Sequence, residues 1–573
     1  PKIAGGIGEP PLYGGAMSGR GGVGGAQLVE FRRIHNMVQL VAPNTEYYAR
    51  AGTLEARAVQ AAYSPSLIGS APVASQPHPD SKAVLIEAHG MFASDMLGIG
   101  AMLQRAYRQS YSLDTRNSFV VATRGSADAT VIEVQNHYAV SSIAAASGGA
   151  SGASTPRTLP DPRSLFVRLH YSLSALPAQP MAPCRPDPRV GYFDTLGHDC
   201  GDDMARTTKV RWVHRGRLEE KDPSAALSEP VRPITYWLDR TNPEKYRGAI
   251  TEGVLEWNRA FERIGFRDAI VVKLQPADAD FDTLDVDRAS IRWMTNASPR
   301  FGAIGPSHVD PRSGEILDAD IALESLSSRS MRTLRTQILG PDARSAMAAN
   351  LPDAASARDA QHRHDGADCA HAEHAAEQLA YALDVDDGAP AEQFVLDYLK
   401  DVTMHEVGHT LGLRHNFRAS RAYSEAQLDD AAFTREHGIS ASVMDYQPVN
   451  LPRPGERGGA RFQLALGPYD YWAIEYGYAP LPAGGDAAAL AAIAARSGND
   501  ARLAYGTDED SWLGIDPESL QFDLGGDVLE FAKKRFAIAH DVLQRQESRP
   551  LNGDYAVLRR AVSFAVGDGP PDG

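Results

Sequence analysis

The sequence predicts an α/β (α+β) chain. A β-rich N-terminal domain leads into a mixed domain with a mostly parallel sheet and a long helix, and a helical C-terminal region follows. Three observations carry this. From about residue 26 to 180, short β-like runs alternate with Gly, Ser and Pro clusters. From Pro233, strand-like and helix-like segments alternate at the lengths of βαβ units. Beyond Gly467, the segments read as helices.

The first 25 residues are rich in Gly and Pro, and "GRGGVG" satisfies GxGxxG through Gly19, Gly21 and Gly24. A dinucleotide site needs a strand before that motif and a helix after it. Here "AQLVEFRRIHNMVQLV" follows, which alternates like two strands and a turn, so that reading is rejected. "MVQLV", "AVLIEAHG", "SFVVATRG", "ATVIEVQNHYAV" and "LFVRLHYSLSAL" are the expected strands, with one helix near "MLGIGAMLQRAYRQ". "SSIAAASGGASGAST" (141–155) is a low-complexity loop. These elements make a β-rich domain over 1–185, and an extended linker spans 186–230.

The second domain, 231–465, opens with the strand "ITYWLD". Tyr246, Ile250, Val254, Trp257, Phe261 and Ile264 then form one stripe of a long amphipathic helix that Gly265 ends. "AIVVKL", "SIRWMT" and "EILDADIAL" are further strands, and residues 340–390 are an Ala-, Asp- and His-rich insertion. A helix from about Ala391 to Leu411 follows, and 466–573 is helical.

With 573 residues the chain is long enough for roughly three domains and large cores. Its net charge of −16 argues against a nucleic-acid or anionic-membrane partner, which needs a basic face. No apolar run reaches the length of a membrane span, about 18 residues. Three cysteines, Cys184, Cys200 and Cys369, do not make a disulfide scaffold. No charged and apolar leader is visible, so the compartment is not readable from one.

The chemistry concentrates in "TMHEVGHTLGLRHN". His405 and His409, four apart on a helix, project from one face and can meet one ion. Glu406, beside the first ligand, can reach a water on that ion. Glycine tolerates the left-handed backbone that stops a helix, so Gly412 lets the chain turn back and bring His415 in as third ligand. Three protein ligands leave a fourth position open for water, the arrangement of catalytic zinc rather than structural zinc. Zinc lowers the pKa of such a water from about 15.7 towards about 7. Glu406 would act as general base as the water attacks a carbonyl, then pass the proton to the leaving amine.

"HEVGHTLGLRHNF" together with "SVMDY" resembles the metzincin clan of zinc peptidases. The segments "GYF", "RLEEKDPSAALSEPVRPITYWLD", "WNRAFERIGF", "DPRSGEILDADI" and "YGTDEDSW…IDPESLQFDLGGD" resemble its large bacterial branch. In that branch the metzincin domain follows a β-rich domain of unknown function. The resemblance implies a twisted, mostly parallel sheet with an antiparallel edge strand, which would be "EILDADIAL" (315–323). Such an edge can hydrogen-bond an extended peptide. Met444 would lie in the methionine turn that floors the site, and Tyr446 would help bind zinc or the oxyanion. The resemblance also implies a secreted or periplasmic protein, with a peptide or protein as substrate.

Other signals are weaker. His362, His364, Cys369, His371 and His374 form a loose second cluster, read as solvated histidines with a packed cysteine, with a second metal as the alternative. "PCRPD" at Cys184 is similar to a propeptide cysteine switch, but a packed cysteine or a Cys184–Cys200 disulfide is favoured. Asp508, Glu509, Asp510, Asp516, Asp523 and Asp527 suit Ca2+ in ligand type but lack an EF-hand pattern, which favours a solvated surface. The sequence therefore points to a zinc endopeptidase. The alternative is a metzincin-fold peptide- or protein-binding module that no longer turns over, against which the intact Glu406 argues. Residues 1–230 could serve as inhibitory pro-region or as substrate platform, and the oligomeric state is not legible.

Overall fold

The computed structural model describes residues 1–14, 16–17, 27–125, 129–144, 153–297, 303–325, 391–481 and 486–548. The insertion with His362, His364, Cys369, His371 and His374 lies outside the described residues, as do "GRGGVG" and 145–152 of the low-complexity loop.

In the N-terminal part, β1 (Lys2–Gly5), β2 (Phe119–Gly125), β3 (Ala129–Ala139) and β4 (Ser164–Ser174) form an antiparallel sheet in the order β1-β4-β3-β2. Period-two burial of Leu165, Val167 and Leu169 turns one face of β4 inward. Helix α1 (Ile99–Tyr107) covers that face with Ile99, Leu103 and Tyr107, one side of the helix. The expected hairpin forms from Glu30–Ile34 and Met37–Ala42. The strand expected at 83–90 does not form. Only Ile86 bridges, to Val73, while His89–Phe92 is helical and buries Met91 and Phe92. The segment pairs with 72–78 through scattered bonds, Ala74 N–H to Leu85 at 2.8 Å and Glu87 N–H to Pro72 at 3.1 Å, rather than a regular ladder, and Leu85 stays exposed.

The 186–230 segment carries the antiparallel strands Asp194–Asp199 and Lys209–Val213. Cys184, Val190, Tyr192 and Val213 belong to the core of the second sheet. No disulfide joins Cys184 and Cys200, so the alternative of a bond between them does not hold.

That second sheet contains β5 (Ile234–Leu238), β6 (Ile270–Leu274), β7 (Ser290–Met294), β8 (Ala303–Ile304), β9 (Ser307–Val309) and β10 (Ile316–Glu324). Its order is β6-β5-β7-β10-β8, with β9 also on β10. β5, β6, β7 and β10 are parallel neighbours, whereas β8 and β9 run antiparallel to β10. The edge expected at 315–323 is therefore an interior strand. The near-continuous burial of β10 from Asp318 to Glu324 is what two flanking strands impose. The antiparallel edge is instead the β8–Gly305–β9 segment.

The amphipathic stripe after β5 is buried as expected from Tyr246 to Phe261, and Gly265 has φ +99°. The helix is split, however, into α2 (Glu244–Glu256) and α3 (Asn258–Arg263). At the junction the Trp257 indole donates to the Met404 carbonyl at 3.0 Å. That carbonyl belongs to α4 (Ala391–Thr410), the long helix carrying the histidine motif. After α4 come α5 (Pro468–Tyr478), α6 (Asp486–Ala495), α7 (Asp508–Trp512) and α8 (Val528–Ser548). One core joins β5, β7 and β10 to α2, α3, α4 and α5. Among the described residues, no helix is long and apolar enough to cross a membrane.

Candidate metal centre

Helix α4 buries Phe394, Val395, Tyr398, Leu399 and Val402 before it reaches the histidines, so its last two turns are held inside the molecule. It ends in a Schellman turn. The Leu413 N–H donates to the Gly408 carbonyl and the Gly412 N–H to the His409 carbonyl, both at 2.9 Å. Gly412 has φ +101°, and a Cβ there would sit 1.9 Å from the His214 carbonyl oxygen. The turn pairs with the 191–193 segment: Phe193 N–H donates to the Gly412 carbonyl at 2.8 Å, and Arg414 N–H to Gly191 at 2.9 Å. This reversal returns His415 to α4.

The three imidazoles meet. Ligand atoms of His405, His409 and His415 all lie within 4.8 Å of one another. Each ring is oriented through Nδ1. His405 Nδ1 faces the Val443 carbonyl at 2.7 Å, His409 Nδ1 the Leu413 carbonyl at 2.8 Å, and His415 Nδ1 the Asp508 carboxylate at 2.9 and 3.1 Å. Carbonyl and carboxylate oxygens only accept, so each Nδ1 carries the proton and each Nε2 of the neutral ring presents a lone pair. His409 Nε2 and His415 Nε2 stand 3.2 Å apart. Two lone pairs at that distance repel unless a cation lies between them. Two nitrogens on one tetrahedral zinc stand about 3.3 Å apart, given Zn–N bonds of about 2.05 Å. The donor set fits the ion.

Around the trio, Met444 is fully buried, and its N–H donates to Ser442 Oγ at 3.0 Å. A Cβ on Gly408 would sit 2.2 Å from Met444 Sδ, so the thioether packs on the helix backbone between His405 and His409. Sequence reasoning passed over Gly408, which only this close approach explains. The turn that carries Met444 is held from behind by Asp470 at the start of α5. Its carboxylate accepts from Ser442 Oγ at 2.6 Å, Val443 N–H at 2.9 Å and Gly467 N–H at 2.8 Å. Burial pushes that carboxyl up to about 7 against these hydrogen bonds. The Tyr446 ring lies 4.6 Å from that of His415 and 5.6 Å from that of His405. Glu406 is buried against the edge segment, where a Cβ on Gly305 would stand 3.1 Å from Glu406 Oε2.

The acidic stretch is spread over caps and ion pairs. Asp508 holds His415, Glu509 pairs with Arg414, and Asp510 accepts from the Thr507 N–H at 2.9 Å. Asp516 pairs with Arg418, Asp523 accepts from Ser420 Oγ, and Asp527 caps α8. Burial opposes ionisation of Asp508, but His415 and Arg414 win and hold it well below the usual carboxylate range. Sequence reasoning saw Asp508 only as one of this stretch, because its partner is 93 residues away. Cys184 lies in the core, and the trio is the metal-ligand grouping of three or more among the described residues.

Residues 388–568 match the family described as Met-zincin, and residues 21–221 match a family described as a domain of unknown function. No curated protein and no solved structure gives a significant match. Residues 388–568 therefore carry a Met-zincin domain of metalloprotease type, behind an N-terminal domain of unknown function. His405, His409 and His415 within that domain are positioned to hold a metal ion.

Proposed function

We propose that this chain is a zinc-dependent endopeptidase. The observation that carries the reading is the convergence of three imidazoles with ligand atoms within 4.8 Å of one another, each ring held by an acceptor at Nδ1. His405, His409 and His415 would hold the ion. Zinc bound there would supply Lewis acidity, acidifying a water and polarising the scissile carbonyl. Glu406, from the turn of α4 between the first two ligands, takes the water's proton and delivers it to the leaving amine. The Tyr446 hydroxyl donates to the oxyanion that forms on the carbonyl. Met444, packed on Gly408, keeps the two helix histidines at their spacing. The β8–Gly305–β9 edge lies against Glu406, and an extended peptide adding to that edge would pass alongside it. The substrate is accordingly a peptide or protein, and the exported location implied by the sequence resemblance suits such an enzyme.

Metal analysis and a peptide-library digest of the chain and its Glu406→Ala variant test this. The expected result is one zinc per chain in both, with cleavage by the variant lower by about 10²- to 10⁴-fold. Equal cleavage by the two would reject Glu406 as the base.

A further inference from the structure

We infer that Asp508 is a positioning residue of the metal centre, setting the orientation and donor strength of His415. The inference rests on the zinc reading above and deepens it. His405 and His409 lean on neutral backbone carbonyls, whereas His415 leans on a carboxylate with both oxygens within hydrogen-bond distance of Nδ1, at 2.9 and 3.1 Å. A carboxylate fixes the Nδ1–H tautomer as a carbonyl does. It also makes the opposite nitrogen a stronger donor, because negative charge stabilises the electron-poor, metal-bound ring.

The carboxylate is itself held in place. Thr507 Oγ1 donates to Asp508 Oδ2 at 3.3 Å, and the Arg414 guanidinium lies 3.8 Å from the same oxygen. The backbone leading to Asp508 is clamped to the one leaving His415. Phe417 N–H donates to Gly506 at 2.7 Å, Gly506 N–H to Asn416 Oδ1 at 3.2 Å, and Asn416 Nδ2 to Ala504 at 3.0 Å. Asn416 N–H also donates to the Met444 carbonyl at 2.9 Å. The third ligand, the methionine turn and the segment before α7 are thus joined through one buried asparagine. The α4 histidines are aimed by their helix as well as by their backbone carbonyls. His415 follows the turn, and its aim depends on a partner from the C-terminal region.

The test compares the full-length chain with Asp508→Asn and Asp508→Ala. Zinc affinity is read by chelator competition, the electronic spectrum after cobalt substitution, and the melting temperature of the metal-free forms. Asp508→Asn keeps the shape and one acceptor but loses the charge, so it covers the case in which Asp508→Ala misfolds. We expect metal-free melting close to the parent, a shifted cobalt spectrum, and zinc affinity lower by about 10- to 100-fold in Asp508→Ala. In Asp508→Asn the loss should be smaller. Unchanged affinity and spectrum in both variants would overturn the inference while leaving the zinc centre standing. Lost affinity matched by equally lost metal-free stability would overturn it too, marking a scaffold role. A parent chain that takes up no zinc, or a His415→Ala variant that binds it as tightly, would instead reject the zinc reading itself and the inference with it.

Discussion

Burial decides the behaviour of Asp401, one helical turn before His405. It is 2% exposed, and the Gln463 N–H donates to it at 3.4 Å. Burial raises its carboxyl well above the usual range. The folded chain therefore keeps a proton that the unfolded chain releases near pH 4. Between the two pKa values the unfolded state binds fewer protons, so this group costs stability as pH rises, by about 1.4 kcal/mol per unit. Asp401→Asn removes that cost and keeps an acceptor for Gln463. In urea titrations the variant should match the parent near pH 4 and exceed it increasingly as pH rises above the ordinary carboxylate range. A parent–variant difference that does not change with pH would show that Asp401 is ionised in the fold. Single side chains also mark how much of the site was legible. His405, His409, His415 and Gly412 declare themselves by spacing, because helix geometry is local. Asp508 and Gly408 do not, because one acts across 93 residues and the other by leaving room for Met444.

Among the described elements, the turn that carries Met444 depends on a group outside itself. Its Ser442 and Val443 groups, with the Gly467 N–H, are satisfied by the single carboxylate of Asp470. Asp470→Ala would leave these donors buried without an acceptor, at about 1–3 kcal/mol each before relaxation. We expect at least about 3 kcal/mol lost in chemical denaturation and weaker zinc binding, since His405 leans on the Val443 carbonyl. Near-parental stability would show that the turn holds itself. Strand edges were the weakest part of the sequence reading. The family resemblance implies that 315–323 is the edge, yet β10 lies between β7 and the β8–β9 edge. Which strand is the edge depends on the path of the chain between strands, which short segments of sequence do not carry. The split at Trp257 is similar: the apolar stripe was visible, whereas the bond from its indole to Met404 was not.

For the molecule as a whole, buried charge joins the N-terminal part to the second sheet. Lys2 Nζ lies 2.8 Å from Asp318 and 2.5 Å from Asp320, all three nearly fully buried. Asp285 similarly takes Arg124 at 2.6 Å and His170 at 2.9 Å from the N-terminal sheet. Burial works against the charge on Lys2, but the two aspartates outweigh it and keep the ammonium charged. Removing one partner of a buried ion pair strands the other, typically at about 3–5 kcal/mol. Lys2→Met should therefore lower the melting temperature, and adding Asp318→Asn and Asp320→Asn should recover part of the loss. A triple variant less stable than Lys2→Met alone would contradict this account.

Period and spacing in the sequence determine most of the helices and strands, the metal-ligand trio and the turn that returns its third member. These depend on dihedral preferences and on contacts a few residues apart. The tertiary structure alone decides which strand forms the edge, that Cys184 and Cys200 stay apart, and that a carboxylate from the C-terminal region supports His415. Those outcomes depend on loop paths and on contacts between distant segments, and the chain acquires them only when its two cores have closed.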